Sequence, residues 1–143
     1  MQELKAQKIW VCWRYTMVKG NRTKKPFSAY GTATGTDAPH RHSWVTYDEA
    51  LIASKEKHFD GIGFIIPEGY VFLDIDHRGL DDPLVQTMLR RFDTYAEHSV
   101  SGGGIHFYGK CDREKIPFYI DGKGQRKLDK TYYTKHPKTK IEL

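Results

Sequence analysis

Two carboxylates, Asp74 and Asp76, stand two residues apart inside an otherwise apolar run, YVFLDID at residues 70–76. Side chains alternate along a strand, so both acids project from one face while Leu73 and Ile75 project from the other. At a rise of about 3.3 Å per residue, their Cα atoms lie roughly 6–7 Å apart. Like charges on a core strand repel each other and lose hydration. A divalent cation offsets both costs; a strand end where the acids meet solvent or a basic partner is the alternative. His106 follows three glycines, Gly102, Gly103 and Gly104. Such a loop can turn successive backbone N–H groups toward an anion, and the imidazole beyond it could contact a phosphate oxygen or a leaving pyrophosphate. A hairpin turn with a histidine satisfied by the sheet is the plainer reading.

Glu142 alternates with Ile141 and Leu143 and would therefore also face one side of a strand. A third carboxylate suits a two-ion site, because each hard cation takes several oxygen ligands. Arg14, Lys24 and Lys25 are candidates for pairing with phosphates, the Lys24-Lys25-Pro26 run being held extended ahead of its proline. An ordinary exposed loop accounts for those cations equally well. His40-Arg41-His42 has a metal-like His-x-His spacing, but Pro39 precedes it and Arg41 splits it, so it is set aside. His77 falls at the end of the acidic strand.

The elements that must position these groups are legible in outline. Residues 9–15 (IWVCWRY) read as an aromatic strand, and residues 16–43, punctuated by glycine and proline, as loop. Thr46-x-x-Glu49 is a capping box ahead of a helix over 47–57. GIGFII at 61–66, a Pro-Glu-Gly turn and YVFLDID at 70–76 predict a β-hairpin. Asp82-Pro83 supplies an N-cap and first-turn proline for a helix over 84–92. Residues 94–98 form a short strand, 101–104 a flexible loop, and IHFY at 105–108 opens another strand. A terminal strand is expected at 139–143. Strands outnumber helices and antiparallel pairing is expected, so the fold class is α+β.

The chain has 143 residues, a single domain by length, with a formal charge of +5 and many aromatic residues. That composition argues for a folded domain over disorder, and its basicity permits a polyanionic partner. Cys12 and Cys111 are far apart and lack C-x-x-C spacing, which points away from a zinc knuckle or disulfide framework and toward a reducing cytoplasm. No apolar run approaches the ~18 residues of a membrane span, and no signal-peptide segment is visible.

Taken in order, the segments W-x-x-W-R (Trp10, Trp13, Arg14), K-K-P-F (residues 24–27), D-A-P-x-x-x-x-W (37–44), Y-D-E-A (47–50), D-G-I-G-F (60–64), F-L-D-I-D-H (72–77), T-Y-A-E-H-S-V-S-G-G-G-I-H (94–106) and I-E-L (141–143) form a pattern. It resembles the archaeo-eukaryotic primase superfamily, in particular the primase-polymerase domain of phage and plasmid replication proteins. The D-x-D strand and the Y-x-E-x-S-x-S-G-x-G-x-H loop are its most specific parts. The resemblance implies a catalytic core with an RRM-like, largely antiparallel sheet flanked by helices. It implies that Asp74, Asp76 and Glu142 hold two Mg²⁺ or Mn²⁺ ions, and that His106, Ser101 and Gly102, Gly103 and Gly104 hold a dNTP or NTP. Arg14 and Lys25 would be further nucleotide contacts. Because Gly104 stands two residues before His106, a hydroxyl contact would come from Ser99 or Ser101.

The implied activity is primase or DNA polymerase, a nucleotidyl transfer to a 3′-hydroxyl on a DNA template. The implied setting is the cytoplasm of a bacterial host carrying the phage or plasmid. Family members continue past the third acid, often into a helicase domain, so the chain is expected to be the N-terminal part of a longer replication protein. A non-catalytic nucleic-acid-binding module of the same fold and a metal-dependent phosphodiesterase are the alternatives.

Overall fold

The computed structural model describes residues 2–129 and 141–142. The chain divides into two compact units, Met1–Pro67 and Glu68–Leu143. Both are α+β, with small antiparallel sheets and short helices. No helix among the described residues is long and apolar enough to cross a membrane.

In the first unit, a one-turn helix α1 (Gln2–Lys5) precedes β1 (Trp10–Val18), which lies between β2 (Asn21–Phe27) and β3 (Gly61–Phe64) in a three-stranded antiparallel sheet. The expected loop over 16–43 is thus corrected: its first part is a hairpin. Lys19 and Gly20 both take positive φ, 50° and 82°, the two-residue geometry that matches the twist of paired strands. The sequence conceals this strand because β2 carries cations on both faces and has no apolar alternation to betray it. Helix α2 (Tyr47–Glu56) starts as expected. Thr46 accepts from the Glu49 backbone N–H, and the Glu49 carboxylate accepts from the Thr46 backbone N–H. That second bond, with the Thr46 hydroxyl, holds the Glu49 carboxyl below its usual range.

Helix α2 covers one face of this sheet. The Cys12 thiol reaches the Ala50 carbonyl at 3.5 Å, and Trp10 meets Tyr47 edge-on with centroids 4.9 Å apart. Burial raises the Cys12 pKa, partly opposed by Lys57, so this thiol stays protonated and inert.

The second unit is built on a four-stranded antiparallel sheet of order β5-β6-β4-β9, with β4 (Tyr70–Asp76), β5 (Tyr95–His98), β6 (Gly104–Lys110) and β9 (Ile141–Glu142). The hairpin expected between 61–66 and 70–76 is not formed. Both strands exist, but β3 pairs with β1 and β4 pairs with β6 and β9. The three-residue turn between them is a local signal, and it does not determine which partners the two strands take. Helix α3 (Pro83–Phe92) begins at Asp82, whose carboxylate accepts from the Leu84 N–H at 2.8 Å and pairs with Arg78 at 2.6 Å. A small hairpin, β7 (Phe118–Ile120) with β8 (Arg126–Leu128), falls where the sequence pattern predicts no strand.

The core of this unit lies between α3 and one sheet face. Ile75, Ile105 and Phe107 from the sheet and Val85 from the helix are buried, with Leu73, Met88, Leu89 and Ala96 packed around them. Each fully buried aliphatic side chain contributes roughly 1.5–3 kcal/mol. The alternation along β4 therefore works as the sequence predicts: odd positions enter the core, and even positions, including both aspartates, face the other way.

Candidate functional site

That other face is defined by strand register. Asp74 lies opposite His106 on β6 and opposite Glu142 on β9, so it occupies an interior strand between them. Asp76 lies opposite Gly104, Phe72 opposite Tyr108, and Glu97 of β5 opposite His106 on its far side. Directly opposed residues in an antiparallel sheet share a face. Asp74, Asp76, His106 and Glu97 therefore form one polar field, bordered by Phe72, Tyr95 and Tyr108.

His106 stands between two carboxylates. Its Nε2 is 3.7 Å from Asp74 Oδ1 and its Nδ1 is 3.6 Å from Glu97 Oε1. Phe72 meets the imidazole edge-on, with centroids 5.0 Å apart. The Glu97 carboxylate is itself fixed from two sides: the Tyr108 hydroxyl donates to Oε1 at 2.8 Å and the Tyr95 hydroxyl to Oε2 at 2.9 Å. Burial pushes the Tyr108 phenol well above its ordinary pKa, and its bond to Glu97 pushes further in the same direction. Tyr108 thus remains a hydrogen-bond donor throughout the neutral range.

Glu97 receives no role from sequence reasoning. The only signal is its place in T-Y-A-E-H, where Tyr95 and Glu97 share a strand face. Its second clamp, Tyr108, comes from a neighbouring strand and is visible only once the register is known.

The glycine loop does two different things. Gly104 is buried, and a Cβ built there would lie 2.6 Å from the Ile75 carbonyl oxygen, so its bareness lets β6 close onto β4 beside Asp76. Gly102 takes φ +75° in the turn, and its N–H donates to the Ser99 carbonyl at 2.8 Å. The Gly103 N–H donates to Ser101 Oγ at 3.4 Å, and Ser101 Oγ lies 3.1 Å from Ser99 Oγ. Both of those N–H groups are engaged within the turn, so in this conformation the loop is a hairpin connection with its hydroxyls outward.

Asp74, Asp76 and, by register, Glu142 are hard oxygen donors of the kind that Mg²⁺ or Mn²⁺ takes. Glu142 is placed by the backbone register of β9 opposite Asp74, and Thr139, Lys140 and Leu143 of the expected terminal strand lie outside the described residues. Among the described residues, no group of three or more His, Cys, Asp or Glu side chains converges to enclose a metal. The donor set fits a divalent cation in kind, with two acids on one strand and a third at the facing register position.

Arg14 and Lys25 belong to the first unit and pair across β1 and β2. The Arg14 guanidinium donates to the Lys57 carbonyl at 3.0 Å, at the end of α2, and lies over the Phe59 ring at 4.8 Å. It therefore has a structural job at a helix C-terminus, where a cation also meets the negative end of the helix dipole. Lys25 is exposed on β2. His40 lies in a short 3₁₀ turn, hydrogen-bonded to Asp37, which accords with setting that His pair aside. His77 ends β4 with φ 58°.

No protein-family model matches the chain, and no curated protein matches its sequence.

Proposed function

We propose that the chain is the primase-polymerase domain of an archaeo-eukaryotic-type primase, catalysing nucleotidyl transfer from a dNTP or NTP to a 3′-hydroxyl on a DNA template. The observation that carries this reading is the register of β4: Asp74 flanked by His106 and Glu142, with Asp76 on the same face. Resemblance in the D-x-D strand and the serine-glycine-histidine loop supports it, as does the α+β sheet on which both lie.

Asp74, Asp76 and Glu142 would hold Mg²⁺ or Mn²⁺. When bound, such cations acidify an attacking hydroxyl and neutralise charge on the phosphates. His106 would donate a ring N–H to a phosphate oxygen of the incoming nucleotide. Glu97, held by Tyr95 and Tyr108, lies 3.6 Å from Nδ1 and would orient the ring from that side, as outer carboxylates do for functional histidines, leaving Nε2 to face the phosphate. Ser99 and Ser101 would add hydroxyl contacts at the rim. The half-buried aromatic border of Phe72 and Tyr108 lowers the local dielectric, which strengthens each of these charge interactions.

Primer extension and de novo synthesis with dNTPs and NTPs, in Mg²⁺ and in Mn²⁺, test the proposal against Asp74→Ala. Synthesis by the wild-type chain that falls to background in the variant is expected. Synthesis that survives the substitution sinks the assignment, and labelled DNA that shortens instead of lengthening would make the acids those of a phosphodiesterase.

A further inference from the structure

The sheet of the first unit has a face that α2 does not cover, and its chemistry is the opposite of the acidic field on β4. β1 contributes Trp13, Tyr15 and Met17 to it, and β2 contributes Arg22 and Lys24, with Lys24 opposite Tyr15 and Arg22 opposite Met17. The Arg22 guanidinium lies 3.7 Å from the Tyr15 ring centroid, and Lys24 Nζ lies 5.1 Å from that of Trp13. Trp13 and Tyr15 meet edge-on at 5.1 Å. Trp13 is locked in place: its Nε1 donates to the Ile62 carbonyl at 3.1 Å, and its ring lies on Gly61, where a Cβ would come within 2.6 Å of it. Both rings are part-exposed, while Met17, Arg22 and Lys24 are exposed. Arg22 and Lys24 form no ion pair with a carboxylate among the described residues, and the Asp60 carboxylate accepts from the Tyr15 backbone N–H at 2.7 Å.

We propose that this strip, Trp13 and Tyr15 interleaved with Arg22 and Lys24, is a docking surface for single-stranded DNA. Immobilised rings offer stacking platforms to unpaired bases, and a guanidinium plane lying on a ring extends the platform outward. The cation at each ring neutralises the phosphates that follow the bases. Duplex DNA keeps its base faces stacked inside and gains only the charge contacts. The choice of DNA rests on the functional reading above; the strip itself does not.

The full chain is titrated with an oligo-dT strand, following tryptophan fluorescence without metal or nucleotide. Trp10 and Trp44 are each 5% exposed, so quenching by stacked bases reports Trp13. Wild type quenches and binds with a steep salt dependence. The double variant Arg22→Ala/Lys24→Ala, altered only at exposed positions, binds about tenfold or more weakly, and its log-log salt slope falls by about 0.7 for each phosphate no longer neutralised. Arg22→Lys/Lys24→Arg retains the slope. Tyr15→Leu weakens binding by about tenfold, the scale of one stacked base. Melting temperatures of all variants separate impaired binding from a weakened hairpin.

Unchanged affinity in the double variant, absent quenching, equal binding of duplex at matched salt, or equal competition by poly-glutamate would each overturn the inference. Asp74→Ala separates it from the functional reading. Strand binding by a wild-type chain that synthesises nothing leaves the strip standing and removes the enzyme. Synthesis whose primer-template KM is untouched by the double variant does the reverse.

Discussion

The two larger sheets of this protein follow one plan with opposite charge. Each buries one face against a single helix, α2 over Cys12 and Trp10, α3 over Ile75 and Ile105. Each dresses its other face with rings and ionisable groups. In the first unit those groups are Arg22 and Lys24, and the rings hold them through their π faces. In the second they are Asp74, Asp76 and Glu97, and the tyrosines hold Glu97 through their hydroxyls. The same residue type thus serves either sign of charge, depending on whether face or edge is offered. Polar faces of this kind are costly to build unless the apolar faces behind them are secure.

The largest test strikes one of those apolar faces. Ile75→Ala should destabilise the second unit by about 2–5 kcal/mol, since Ile75 is fully buried within its cluster. Hydrogen exchange at the β4 and β6 amides would read the effect. Cys12→Ala, the matching change in the first unit, removes only a sulfur and should cost far less by thermal denaturation. Equal effects would break the idea that the acidic sheet leans harder on its core.

A smaller effect is expected from the glycines. Gly104→Ala places a methyl 2.6 Å from the Ile75 carbonyl oxygen and should cost about 1–3 kcal/mol in denaturant unfolding, with β6 pushed off β4. Gly20→Ala meets nothing within 4 Å and is opposed only by its φ of +82°, about 1 kcal/mol. The first unit's glycine is a matter of conformation, the second's of space. Asn should therefore rescue position 20 and fail at position 104.

The smallest test concerns pH. The Tyr108 phenol is raised in the fold, so its contribution to stability is fully present below the unfolded tyrosine pKa of about 10 and is lost as pH climbs toward the folded value. Above pH ~10 the native state retains a proton that the unfolded state releases, and stability falls. Tyr108→Phe should cost about 1 kcal/mol near neutrality and flatten that alkaline limb in denaturation curves collected across pH. An unchanged limb would mean that the hydroxyl is freer than its bond to Glu97 implies.

How much of this is legible in the sequence depends on range. Helix starts at Thr46 and Asp82 are written in three or four residues each and form as read. The same-face placement of Asp74 and Asp76 follows from alternation alone, because Leu73 and Ile75 have to be inside. Pairing is another matter. The Pro67-Glu68-Gly69 turn looks like a hairpin because nothing local distinguishes two adjacent strands that pair from two that leave for other partners. β2 escapes notice because an edge strand rich in lysine and arginine has no buried face to advertise. Glu97 reads as a letter in a motif and not as a group, since one of its two anchors is a tyrosine eleven positions away on another strand.

The register of β4 carries a consequence for chain length. Asp74 is matched to His106 on one side and Glu142 on the other, and a shift of one residue in any of these strands turns every side chain to the opposite face. Growth or shrinkage within β4 or β6 is therefore quantised. A single inserted residue would drive an aspartate into the helix-covered core and an isoleucine outward, whereas a pair of residues would preserve the faces and only slide the acids along them. The turn at residues 101–103 stands outside this parity rule, so length variation in relatives should gather there in steps of any size and appear within the strands only in twos.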